Sequence, residues 1–304
     1  MNKSKEEKEG ASYNRKLLQL KEKLLPYGFL SPTLLILGGV LLFPLIYSLF
    51  LSFHQWDMAS GQAAEFVFLE NYIELFKSIE FWNSVKLQLL FVVISVTIEL
   101  IIGLAVALFL NKNFFGDKIV RALLLLPAFI LPVVSGLAFR FMYNPQYGAI
   151  NWFIKLIGLD PIPFLSKPKL AFVAIIVQDV WRMWPFMFMI LYASVSTLPK
   201  APFEAAIIGG ANKWQIFRYV TLPLLKPSII TAIILRVLNA LKAFSEIYVM
   251  TNGGPGNSTT VMSIYIYKNA FKFYDFGYSA GISYILVAIA LIFSVFLVRK
   301  QFEI

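Results

Sequence analysis

The sequence predicts an all-α polytopic membrane protein with six transmembrane helices, on two compositional facts and one pattern. Of its 304 residues, 59% are hydrophobic and 14% charged. Mean hydropathy is +0.71, far from that of water-soluble globular domains. The apolar residues gather into stretches near or above the roughly 20 residues needed to cross a bilayer's hydrocarbon. Cys is absent, which excludes a disulfide framework and a thiolate metal site. The formal net charge of +10 comes from cations scattered along the flanks of apolar runs, not from a patch interleaved with aromatics, so nucleic acid is excluded as a partner.

Taken in order, residues 1–26 form a separate tail that opens on MNKSKEEKEG, too poor in apolar side chains to fold alone. It has no early apolar h-region and does not read as a cleavable signal peptide. From Tyr13, the residues Leu17, Leu18, Leu20, Leu24 and Leu25 alternate with Arg15, Lys16, Lys21 and Lys23. That pattern predicts a basic amphipathic helix on the membrane surface, in contact with lipid. Residues 27–304 read as one transmembrane domain. Its first three spans are Gly28–Phe53, interrupted by Pro32 and Pro44, Val85–Leu110 with Glu99 near its middle, and Ile119–Tyr143, kinked by Pro127 and Pro132. The next three are Leu170–Leu198, about Pro227 to Met250, and about Ser279 to Val298. Proline is tolerated in packed transmembrane helices.

Six spans place both termini on one side. Of 27 Lys and Arg, 16 lie in the tail, in residues 111–121 and 198–226, and after the last span, against six in the other three connections. The positive-inside rule therefore puts both termini and the connection 199–227 in the cytoplasm.

That connection carries EAAIIGGANKWQIFRYVTLPLLKP from Glu204 to Pro227. Tandem glycine at Gly209 and Gly210 predicts two short helices, the first starting after Pro199 or Pro202 and the second stopping before Pro223. Ile207, Ile208, Trp214, Ile216, Phe217 and Val220 give it more apolar surface than a short loop can bury alone. Such a knob is a surface for a partner.

The spacing resembles the EAA loop of permease subunits of binding-protein-dependent ABC importers: Glu-Ala-Ala, three residues, Gly, nine residues, Ile, any residue, Leu-Pro. Val220 stands for the Ile, and the chain further resembles the maltose-type carbohydrate branch, where an Asp commonly occupies the place of Gly209. Near the other face, Gly253-Gly254-Pro255-Gly256 must turn. With Thr251, Thr259 or Thr260, the Tyr265-x-Tyr267 pair and Ala270-Phe271, it resembles the same branch, in which this region closes the outer end of the pathway. These motifs cover residues 170–300, while residues 1–169 agree in span number and hydropathy.

The resemblance implies the type I ABC importer permease fold in the bacterial cytoplasmic (inner) membrane. It implies as partners a second homologous permease subunit, two ABC ATPase subunits and an extracytoplasmic solute-binding protein. It makes Glu204, Ala205, Ala206, Gly209, Gly210, Leu222 and Pro223 the coupling element that docks on an ATPase, with Glu204 capping or contacting the docking surface. The chain contains no Gly-x4-Gly-Lys-Ser/Thr loop, so ATP and Mg are expected on the partner ATPase, with no cofactor, metal or catalytic residue in this chain.

Polar groups inside a membrane are costly and mark functional sites. Asp179 and Arg182 are three apart on the fourth span, flanked by Trp181 and Trp184. On the fifth, Arg236, Asn239, Lys242 and Glu246 can share one helical face with Ala243. In the resembling family the sugar lies between the helix before the EAA loop and the helix before the GGP turn. By position, Asp179, Arg182, Met183 and Phe186 on one, and Arg236, Asn239, Ala243 and Glu246 on the other, match that pathway. Arg182, Arg236 and Lys242 exceed Asp179 and Glu246 by one charge, which suggests a substrate bearing a carboxylate or phosphate. Against it, Asp179–Arg182 and Lys242–Glu246 can neutralise each other while Arg236 snorkels towards the cytoplasm. Glu99 has no partner that spacing identifies beyond a hydrogen bond to a neighbouring span. His54, the one histidine, has no carboxylate cluster and is not a metal site. An ATPase-independent secondary transporter or channel is the alternative, and no nucleophile–base constellation supports a membrane enzyme.

Overall fold

The computed structural model describes Leu25, residues 29–56, Met58, Gly61, residues 63–112 and residues 114–302. The amphipathic helix expected within residues 1–26 lies outside the described residues except for Leu25.

Helix α1 covers Phe29–Ser52, with a π turn at Gly38–Leu42. A short antiparallel hairpin follows, β1 (His54–Gln55) with β2 (Glu65–Phe66), in which His54 faces Phe66. Helix α2 is Glu70–Lys77. Ser78 then caps α3 (Ile79–Phe109), its hydroxyl accepting from the Phe81 N–H at 3.2 Å. With 31 residues, α3 is about 46 Å long. It outreaches the hydrocarbon, which is why it begins before the apolar run at Val85 that hydropathy marks.

The third passage is broken rather than kinked: α4 (Asp117–Phe129) and α5 (Pro132–Met142) meet at 91°. Pro127 is accommodated inside α4. The break falls at Ile130 and Leu131, both extended, because a residue before proline is driven out of the helical region. Helix α6 (Ala149–Leu156) leads to α7 (Pro168–Ser196), with Pro168 in its first turn. Next come α8 (Ala201–Ile208) and α9 (Lys213–Ala240), then α10 (Ser245–Thr251), α11 (Met262–Phe271) and α12 (Phe276–Phe302).

Five helices among the described residues are long and apolar enough to cross a membrane, and the bent pair α4–α5 counted as one passage makes six. The fifth span departs from expectation twice: its helix starts far before Pro227, at Lys213, and it is interrupted over residues 241–244.

The core is built on α3 lying along α7. At Gly103 a Cβ would stand 2.7 Å from the Met187 Cβ and 2.8 Å from the Phe188 amide nitrogen, so only glycine permits that approach. Phe91 and Val96 of α3 pack with Phe139 of α5, Ile175 and Met187 of α7, and Ile247 of α10. At one end, Ala107 and Leu110 meet Leu191, Val195 and Leu225. At the other, Leu75 and Phe81 meet Met262 and Ile282. Helices α1 and α12 pack on each other and leave broad apolar faces exposed, as expected where lipid is the solvent.

Candidate functional site

Breaking a helix inside a membrane frees backbone carbonyls, and here other elements satisfy them. Gln88 of α3 donates to the Ala240 carbonyl at 3.1 Å, and Ser263 of α11 donates to the Ala243 carbonyl at 2.5 Å. Beside the break lies a buried ion network. Arg236 is 1% exposed. It grips Glu99 of α3 with two hydrogen bonds, Nε to Oε2 at 2.6 Å and Nη2 to Oε1 at 2.9 Å, and also bonds Asp179 of α7. Arg182 reaches across to Glu246 of α10 at 3.3 Å and stands 3.7 Å from Asp179 Oδ1. Four helices are thereby tied by three carboxylates and two guanidinium groups. Buried charges persist only when paired in this manner.

The network corrects several expectations. Glu99 has a partner, Arg236, 137 residues away. Arg236 does not snorkel towards an interface, because two carboxylates hold it inside. The expected Lys242–Glu246 pair is absent among the described residues, since the break carries Glu246 to Arg182 and leaves Lys242 exposed. Arg236, Asn239, Lys242 and Glu246 therefore do not share one continuous helical face. Once Glu99 is included the surplus cation vanishes: Glu99, Asp179 and Glu246 balance Arg182, Arg236 and Lys242.

A cavity of about 300 Å³ opens against this network. Asp179, Arg182, Met183, Arg236, Asn239, Ala243 and Glu246 line it, together with Pro132, Lys242, Phe244 and Ser245. Phe186, half-buried further along α7, does not. Two buried polar atoms on its lining side chains lack a hydrogen-bond partner, the acceptor Asp179 Oδ1 and the donor Arg182 Nε. The Asn239 amide donates to the Leu235 carbonyl at 2.9 Å and the side chain is exposed. Gln88 and Ser263, which stabilise the break, carried no local signal of that role, and Glu99 stood out as a charge in mid-span without any local sign of its partner.

At the far end of α7, the connection 199–227 has the predicted break. Helix α8 closes with Ala211 N–H to Ala206 O and Gly210 N–H to Ile207 O, both 3.0 Å, with Gly210 at φ +78°. This is a Schellman closure, which places a left-handed residue just past the helix and so calls for glycine at 210. Asn212 and Gln215 then form a reciprocal capping box, with bonds of 2.9 and 2.8 Å, that starts α9. Contrary to expectation α9 does not stop before Pro223. A π turn at Phe217–Thr221 shifts the hydrogen bonding, and Leu222-Pro223 opens the α-helical segment that follows. Glu204, Ala205, Gly209 and Gly210 are exposed, Ala206 is half-buried, and Ile208 is 87% exposed. At the opposite end, both candidate threonines hold the glycine-rich turn: Thr260 Oγ1 donates to Gly253 O and Thr259 Oγ1 to Gly254 O, each at 2.8 Å.

A polytopic helical chain with a broken, ion-lined span and an exposed apolar helix-turn at one end is an integral-membrane permease. The chain belongs to the family described as binding-protein-dependent transport system inner membrane component, which it matches over residues 99–303. It is 36% identical over 278 residues to the trehalose/maltose transport system permease protein MalF of Thermococcus litoralis, covering 91% of this chain and 94% of that one. It is 34% identical over 274 residues to the sulfoquinovosyl glycerol transport system permease protein SmoG of Agrobacterium fabrum, covering 90% and 89%. Its fold matches a bacterial ABC transporter involved in the import of the acidic polysaccharide alginate, with a TM-score of 0.81 at 24% identity over 95% of this chain and 99% of that one.

Proposed function

We propose that this chain is one permease subunit of an ATP-driven sugar importer, and that the saccharide pauses in the cavity at the break of the fifth span. The observation that carries this reading is the cavity itself, which opens at the break and is lined by the ion network and by the exposed amide of Asn239. Sugar hydroxyls donate and accept at once, so they suit a lining that offers carboxylates, guanidinium groups and an amide together. Met183, Pro132 and Ala243 add apolar lining for the faces of a ring. A volume of about 300 Å³ is at the small end for ligand sites, which run from about 300 to 1,000 Å³. The names of the relatives, for trehalose/maltose and for sulfoquinovosyl glycerol, support a saccharide.

The family's dependence on a binding protein supports delivery by an extracytoplasmic one. In the same reading a second homologous permease completes the pathway, and two ATPase subunits hold ATP and Mg. Helix α7 leads from Asp179 and Arg182 to the connection 199–227, so a push on α8 by an ATPase reaches the sugar site through one continuous helix. The excess of Lys and Arg on that side supports a cytoplasmic location for the connection and both termini. A family defined by dependence on a binding protein argues against the secondary-transporter alternative.

Replacing Arg182 by Gln removes a charged donor and should lower uptake about tenfold to a hundredfold, the worth of one such hydrogen bond. The measurement is saccharide uptake by the reconstituted transporter, with sugar affinity of the separate binding protein as the unchanged control. Parental uptake by Arg182→Gln would remove the cavity from the pathway.

A second reading concerns substrate charge. Lys242 is exposed, lines the cavity and makes no ion pair among the described residues. It is positioned to meet a carboxylate, sulfonate or phosphate on the sugar. Replacing Lys242 by Gln should then reduce uptake of an acidic saccharide and spare that of a neutral one. Equal uptake of both by Lys242→Gln contradicts this reading.

A further inference from the structure

A second cavity, of about 500 Å³, lies at the end of the molecule away from residues 199–227, between the first turn of α3 and the C-terminal end of α11. Its polar wall carries two lysines, Lys268 and Lys272, neither of which is paired with a carboxylate among the described residues. Lys268 Nζ donates to Asn257 Oδ1 and Thr260 Oγ1, both at 3.0 Å, and Lys272 Nζ approaches Asn252 Oδ1 at 3.4 Å. Burial of Lys268, and next to it the charge of Lys272, lower the pKa of Lys268, as expected of a cation site whose counter-charge is supplied from outside. Glu80 also lines the cavity, held by Ser78 Oγ at 3.2 Å. The rim is apolar and exposed: Ile79 is 81% and Phe273 65% accessible. Ile79 also begins α3, six residues and about 9 Å before the apolar run at Val85, which puts the cavity at the depth of lipid headgroups.

We infer that this cavity binds a zwitterionic phospholipid headgroup of the phosphatidylethanolamine type, with the phosphate on Lys268 and Lys272, the ammonium on Glu80, and the acyl chains leaving over Ile79 and Phe273. Two cations and one carboxylate match a phosphate joined to an amine. An anionic phosphatidylglycerol headgroup would satisfy the lysines and leave Glu80 facing a neutral polyol. The opening onto the apolar rim at the membrane boundary selects a lipid over a soluble phosphate ester. This site is separate from the proposed sugar cavity and does not depend on it.

The test uses the full chain extracted from its membrane and analysed by native mass spectrometry with added phosphatidylethanolamine, phosphatidylglycerol or O-phosphoethanolamine. Phosphatidylethanolamine should be retained in preference to phosphatidylglycerol. Lys272→Gln, at an exposed position that folding does not need, should weaken retention about tenfold, the effect of one charge-assisted bond. Lys268→Gln with Lys272→Gln should abolish it, Lys268→Arg with Lys272→Arg should keep it, and Glu80→Gln should erase the preference between the two lipids. Undiminished retention by Lys272→Gln, or equal retention of both lipids by the parent, overturns the assignment. Displacement of the lipid by millimolar O-phosphoethanolamine would give the cavity to a soluble ester and overturn it as well.

Discussion

Arg236 carries more structural consequence than any other side chain in this protein. It is the largest fully buried side chain among the described residues, and it joins α9 to α3 through Glu99 and to α7 through Asp179. Replacing it by Met leaves two buried carboxylates without their cation and should destabilise the fold by about 3–5 kcal/mol. Thermal unfolding in detergent reads this, and adding Glu99→Gln and Asp179→Asn to Arg236→Met should recover much of the loss. Little of this was legible in the sequence. Helical spacing finds partners three or four residues apart, and it found Asp179 and Arg182. That contact turns out to be the longest ion pair of the network, at 3.7 Å. The stronger bonds cross between helices, where no periodicity points, so Glu99 stayed without a partner and a false charge surplus followed.

Among the elements, the helix-turn of residues 199–227 was the most legible, because its chemistry is local. Tandem glycine marks the turn, and the structure shows which of the two matters: Gly210 is left-handed at φ +78°, while Gly209 has an ordinary φ of −71°. Val at 210 should cost about 1–2 kcal/mol of local strain and displace the exposed Ile207–Ile208 surface. If that surface docks on the ATPase, Gly210→Val should retain ATP hydrolysis and lose uptake, whereas Gly209→Ala should retain both. Paired ATPase and uptake assays on the two variants decide it, and normal uptake by Gly210→Val would contradict a coupling role. The interruption of the fifth span was illegible for the opposite reason. Leu241, Lys242, Ala243 and Phe244 contain no helix breaker. The break is stabilised from outside, by Gln88 and Ser263. Pro223 misled in the same manner, since a preceding π turn absorbs its missing N–H.

For the molecule as a whole, hydropathy was enough to count the passages and insufficient to bound them. Helices extend past the hydrocarbon, as α3 does at Ile79, and a bent passage such as α4–α5 has the composition of a straight one. What holds the spans in register is close packing of α3 on α7, and Gly103→Leu should push them apart and abolish stable extraction of the protein from the membrane. In the proposed function a saccharide occupies the break of the fifth span. The absence of cysteine from the chain makes one measurement direct. Asn239→Cys places a single thiol in the cavity, and Val177→Cys places one on the exposed flank of α7 as control. In the reconstituted transporter, sugar delivered by the binding protein should slow thiol labelling at 239 and leave 177 unchanged. Equal labelling at 239 with and without sugar, in a transporter that still takes the sugar up, would contradict the claim.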